Sequence, residues 1–188
     1  MRHFQLLFVC LLVLSHGLIS NNQSFAAAKR QVVNNPSIKM VIIPRTSQQM
    51  AAFYEGREFP ANAIEATRSV CFFTIGIHNK SKAIIWHDTQ QWQLNSKAGK
   101  IDLISKKQWR QRWKQLNLPQ RFQSTFRWTL LPKQLDFQPG EREGGNITIP
   151  RQAEPFDLTA HFLTGENKNG KPIALEFKNL RCAKDSDQ

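Results

Sequence analysis

Of 188 residues, 40% are hydrophobic and 21% charged, and 26 Lys and Arg stand against 14 Asp and Glu, a formal charge of +12 at neutral pH. This length suits one domain with a real core, and beyond the N-terminus no stretch is apolar enough to span a membrane, which excludes a later transmembrane segment. The charge favours anionic partners: lipid head groups, polyanionic glycans, nucleic acid or an acidic protein.

The chain opens MRHFQLLFVCLLVLSHGLISNNQSFAAAKR. Arg2 and His3 form a short positive start, Phe4 to Leu14 is apolar apart from Gln5, and Ser24, Ala26 and Ala28 supply small residues at −3 and −1 of a cleavage point. This three-part pattern predicts a secretory signal peptide over residues 1–26. The apolar run is short of the about 20 residues that a membrane anchor needs. Cys10 lies inside that run behind Val9, too early for a lipid-modified cleavage product. Loss of residues 1–26 removes Arg2 and no acid, so 162 residues remain, with 25 basic and 14 acidic side chains and a charge of +11. The mature protein is expected to be soluble, exported, and either periplasmic or secreted.

Residues 27–37 read as a linker. Ile38 to Ile43 is a β-branched run closed by Pro44, a first strand. Thr46 with Gln49 makes a capping-box pattern, and Met50, Phe53 and Tyr54 share one helical face. Phe59-Pro60 ends that helix, and Ala61 to Arg68 adds a short second helical piece. Ser69 to Asn79 is the clearest strand, with Cys71, Phe73, Ile75 and Ile77 on one face. Strands follow at Ala83 to Asp88, Gln91 to Leu94 and Ile101 to Ile104, separated by polar turns.

Ser105 to Asn117 breaks the β rhythm. Trp109, Trp113 and Leu116 recur at helical spacing behind a Ser105 cap, and Pro119 stops the helix. Phe126, Trp128 and Leu130 alternate with polar residues and predict a strand. Further strands are expected at Asn146 to Ile149, Phe156 to Leu163, and Ile173 to Phe177, the last two joined by the polar loop Gly165 to Lys171. Residues 183–188 are a polar tail.

Seven to nine short strands with two short helical inserts predict a mainly β fold over residues 38–182. An antiparallel two-sheet sandwich of immunoglobulin-like type is expected, with a β-barrel as the alternative. The segment LDFQPGEREGGNITIP resembles edges of bacterial immunoglobulin-like domains. Phe73, Ile75, Ile77, Phe126, Trp128, Phe156, Leu158, Phe162, Leu175 and Phe177 are the expected core between the sheets. Without Cys10, the mature chain keeps Cys71 and Cys182, an even pair that in an exported protein predicts a disulfide.

No GxSxG, phosphate loop, HExxH or paired CxxC occurs. His78, His87 and His161 form a catalytic or metal set only if their strands are neighbours, which is the basis of an alternative reading as a small secreted hydrolase or metal-binding protein. Met40 and Met50 lie on different elements and do not make a copper-carrier cluster. No cofactor is expected. Nucleic acid is disfavoured as a partner by export and by the lack of a recognisable module.

The basic helix carries the sharpest functional signal: Lys106, Lys107, Arg110, Arg112 and Lys114 lie within nine residues with no acid among them, and Arg121 follows. One reading makes it a surface for an anionic envelope component or acidic protein, or for peripheral membrane contact through its indoles. The other packs Trp109 and Trp113 on the sandwich and leaves the cations on a solvated back face. Buried indoles mark the second, an exposed one the membrane form of the first. The leading functional expectation is a non-enzymatic, exported cell-envelope binding or accessory domain presenting a basic surface.

Overall fold

Alternation along β2, Ile38–Arg45, sends Ile38, Met40 and Ile42 into the interior, and the same period governs most of the strands that follow. The structure is a computed structural model that describes residues 28–185; the signal-peptide reading of 1–26 therefore lies outside the described residues. Within 27–37, read above as linker, Gln31–Asn34 forms β1 and pairs antiparallel with β2.

Among the described residues the strands make two antiparallel sheets packed together, with no closed barrel. The first has the order β1-β2-β3-β8, where β3 is Val70–Asn79 and β8 is Arg142–Pro150. The second is centred on β9, Phe156–Thr164, whose one edge pairs with β10, Ile173–Leu180. Along its other edge β4, Ile85–Asp88, and β5, Gln93–Ser96, lie end to end, separated by a 3₁₀ turn at Thr89–Gln91. β6, Gly99–Ile101, pairs with β5, and β7, Gln134–Phe137, pairs with β4. The inner faces meet in a core that holds eight of the expected residues: Phe73, Ile75, Ile77, Phe156, Leu158, Phe162, Leu175 and Phe177. Cys71 and Cys182 are bonded, with Cα atoms 5.4 Å apart, which ties β3 to the segment after β10.

Among the described residues four helices, not two inserts, complete the fold: α1 Ser47–Glu55, α2 Ala61–Arg68, α3 Lys106–Gln115 and α4 Gln120–Thr129. They cover one end of the outer face of the first sheet, around Val70 and Phe72, and enclose a second core that includes Tyr54, Phe59, Trp109, Trp113, Phe122 and Phe126. α1 starts with the full Thr46–Gln49 capping box, but its Phe53 is 36% exposed and lies under the Arg57 guanidinium at 3.6 Å.

The strand expected at 126–130 is a correction. Leu118, Phe122, Phe126 and Leu130 recur every fourth residue and are all buried, which is the helical period. Phe126 therefore belongs to the second core rather than to the space between the sheets, and Trp128 is 81% exposed. Pro119 does not merely end one helix; it stands at the N-cap of the next.

Candidate functional site: a cationic cleft between two helices

α3 begins with a reciprocal cap: Ser105 Oγ accepts from the Gln108 backbone N–H and the Gln108 side chain accepts from the Ser105 N–H. That fixes the helix phase, and the phase turns Trp109 and Trp113 inward, 1% and 2% exposed. Their rings stack with centroids 4.9 Å apart, and Phe126 of α4 lies 4.6 Å from the first and 4.9 Å from the second. Trp109 donates its indole N–H to Thr148 Oγ1 of β8 at 2.8 Å, which ties α3 to the first sheet. The Trp113 indole N–H is buried and has no acceptor among the described residues.

With both indoles inside, the cations of the helix lie outside or at its margins. Lys107, Arg110, Lys114 and Arg121 are exposed, and Lys106 and Arg112 are half-buried. α3 and α4 enclose a cleft of about 240 Å³. Lys106, Arg110, Lys114 and Arg127 line it above a floor of Trp109, Trp113 and Phe126, and Gln120, Gln123 and Ser124 supply its polar wall. Three of the six expected surface residues thus converge on one concavity. The other three do not line it: Arg112 lies over the Trp109 ring at 5.0 Å, Arg121 over Phe122 at 4.5 Å, and Lys107 faces a neighbouring crevice. The sequence pattern places a strand at 126–130 and assigns no element to 120–125, so it does not point to Arg127, Gln120, Gln123 or Ser124. A window long enough to include Leu118 and Phe122 carries the signal that would have found them.

From residue 103 to 135 the sequence contains no Asp or Glu. None of the ion pairs among the described residues involves a cation of α3 or α4. Burial and then the nearby Arg127 hold the Lys106 ammonium below its ordinary pKa.

A crevice of about 780 Å³ opens between β6 and β8, with Trp92, Leu94 and Ile147 inside and Lys107 and Lys133 among its polar lining; Lys106 and Leu130 border both concavities.

The histidines are not brought together. His87 on β4 is buried between the sheets against Trp92, Phe137 and Phe162, with Nε2 2.8 Å from the Pro132 carbonyl. His161 alternates with buried Ala160 and Phe162 and so faces outward from the second sheet. His78 faces outward from the first, in register with Lys39 and Arg142, and partial desolvation followed by the charges of Arg142, Lys80 and Lys39 lowers its pKa. Among the described residues no group of three or more His, Cys, Asp or Glu is placed to hold a metal ion, and no helix is long and apolar enough to cross a membrane. Compared with known proteins, the chain matches no family model, no curated protein and no solved structure.

Proposed function

We propose that this chain is an exported, non-enzymatic binding or accessory domain of the cell envelope, and that it docks an anionic partner on the α3–α4 face. One observation carries this reading: Lys106, Arg110, Lys114 and Arg127 line a single cleft, with no acidic residue in the stretch 103–135. Cations held on two packed helices add their fields within a Debye length of about 8 Å at physiological salt. The Cys71–Cys182 bond is compatible with an oxidising compartment, and the N-terminal pattern supplies the route out of the cytoplasm. The strand order supports an immunoglobulin-like frame: β3 lies between β2 and β8, and β9 between β10 and β4–β5.

The test is co-sedimentation of the mature protein with its own envelope polymer at low and moderate salt. Arg110→Glu, Lys114→Glu and Arg127→Glu combined should abolish binding, whereas reversal of Lys97 and Lys171 on distant loops should leave it. Equal binding by both variants would remove the helical face from the site.

A second reading rests on Trp128, an indole 81% exposed beside Arg127, whose guanidinium is 5.8 Å from its ring. An exposed indole flanked by cations suits contact with an anionic bilayer. It replaces the stripe of Trp109 and Trp113, whose burial removes them from any such contact. Anionic vesicles should blue-shift and enhance the wild-type fluorescence and leave that of Trp128→Phe unchanged.

A further inference from the structure

We infer that the α3–α4 cleft is a receptor for a single phosphoryl group, a terminal phosphomonoester displayed on a larger molecule. This rests on the docking role proposed above and specifies its chemistry. The cleft, at about 240 Å³, is below the about 300–1,000 Å³ of sites that enclose a whole drug-sized ligand. It suits one head group and not a folded segment or an acyl chain.

Its lining is made of donors. Two guanidiniums, Arg110 and Arg127, offer the planar fork that matches two oxygens of a phosphate, and Lys106 and Lys114 add point charges. Gln120 Nε2 lies 3.4 Å from Ser124 Oγ and donates to it, which leaves the Ser124 hydroxyl proton for a ligand oxygen. Gln123 spends an amide N–H on the Leu118 carbonyl at 2.7 Å, so its carbonyl remains to accept from a protonated phosphate oxygen. Gln120, Gln123, Ser124 and Arg127 follow one flank of α4, so these side chains face the cleft from a single rigid element.

Trp113 is 2% exposed and forms part of the cleft floor, and its indole nitrogen is closed to solvent, so the donors offered to a ligand are those of the rim. Four cations without a carboxylate also favour a dianion over singly charged carboxylates, and burial together with Arg127 already weakens the charged form of Lys106.

The experiment uses the mature, disulfide-bonded chain and calorimetric titration with inorganic phosphate and with a soluble sugar phosphate. Flotation with vesicles of equal charge follows, containing either phosphatidic acid, a phosphomonoester, or phosphatidylglycerol, a phosphodiester. Saturable one-site binding of phosphate is expected, weakened about tenfold or more by Arg110→Gln or Arg127→Gln and unchanged by Lys107→Gln, which lies outside the cleft. Tight sugar phosphate with no preference between vesicles identifies a soluble or glycan source; preference for phosphatidic acid identifies a lipid one. A flat phosphate titration overturns the inference, as does undiminished, wild-type affinity in the two arginine variants. If envelope polymer still binds in a salt-sensitive way that phosphate does not compete, the phosphoryl specificity fails and the docking role stands. If nothing binds, both fail.

Discussion

Thr148 is buried on the outer face of β8, accepts the Trp109 indole N–H at 2.8 Å and lies 3.5 Å from the Ile104 carbonyl. Thr148→Val keeps the shape and strands a buried donor, so it should cost about 1–3 kcal/mol in urea denaturation, with Thr148→Ser losing less. His87 gives a pH signature of its own. Since Pro132 offers a carbonyl, His87 Nε2 carries the hydrogen, and burial lowers its pKa while the Pro132 bond and Asp88 oppose in part. The unfolded chain takes up the proton near pH 6.5 and the folded chain only at lower pH. Between those values the unfolded state holds more protons. The stability contribution is therefore full above about pH 6.5, declines as the pH falls through that value, and levels off below the folded pKa. Wild type should lose denaturation midpoint on acidification, and His87→Gln should show a shallower loss; the remainder belongs to groups such as His78, which is lowered too. Equal losses in both proteins would place the proton uptake elsewhere.

α4 shows what an element owes to its neighbours. Phe126 touches Tyr54, Phe72, Trp109 and Trp113, and Phe126→Ala should cost about 3–5 kcal/mol, whereas Trp128→Ala should stay within about 0.5 kcal/mol of wild type. A strand from 126 to 130 would predict large losses at both positions, so the pair of thermal melts separates the two geometries. Five residues suffice to imitate a period of two; only the longer run from Leu118 to Leu130 reveals the period of about four. The exit of α4 depends on Gly145 as well. A Cβ there would meet the Leu131 backbone N at 2.5 Å and Cα at 2.6 Å, so Gly145→Ala must push β8 and the segment after α4 apart. A loss of about 1–3 kcal/mol is expected. The sequence pattern starts the strand only at Asn146 and gives no reason for Gly145, because the close approach comes from Leu131, fourteen positions earlier.

At the scale of the whole molecule, the two sheets were legible because most strands bury one face and wet the other, as in Phe156 to Phe162. The Cys71–Cys182 bond was legible from the even cysteine count left once the N-terminal pattern is read as a signal. The cleft was half legible: a run of cations on one helix declares itself, but its opposing wall requires knowledge of how α4 packs. Tertiary contacts, not local pattern, bring Arg127 to Lys106. Since the bond closes a loop of 111 residues, Cys71→Ser with Cys182→Ser should lower stability by about 2–5 kcal/mol, read as a shift in guanidinium midpoint.

The position of that bond along β3 has a further consequence. Thr74 to His78 alternates between interior and periphery, so a slip by one residue there would expose Ile75 and Ile77 and is strongly disfavoured. Val70 to Phe73 is different: all four residues are buried, one pair in each core, so both faces are apolar and side-chain pattern gives no preference between one alignment and the next. Cys71 lies in this ambiguous stretch. Its covalent partner holds the strand in phase where hydrophobicity cannot, and thereby sets Phe72 against Trp109 and Phe126 beneath the helical layer. The bond acts on the cleft from behind, as an alignment pin. Under reducing conditions, duplicated amide signals should arise first around Val70 to Phe73 and in α3, while Thr74 to His78 keeps a single set.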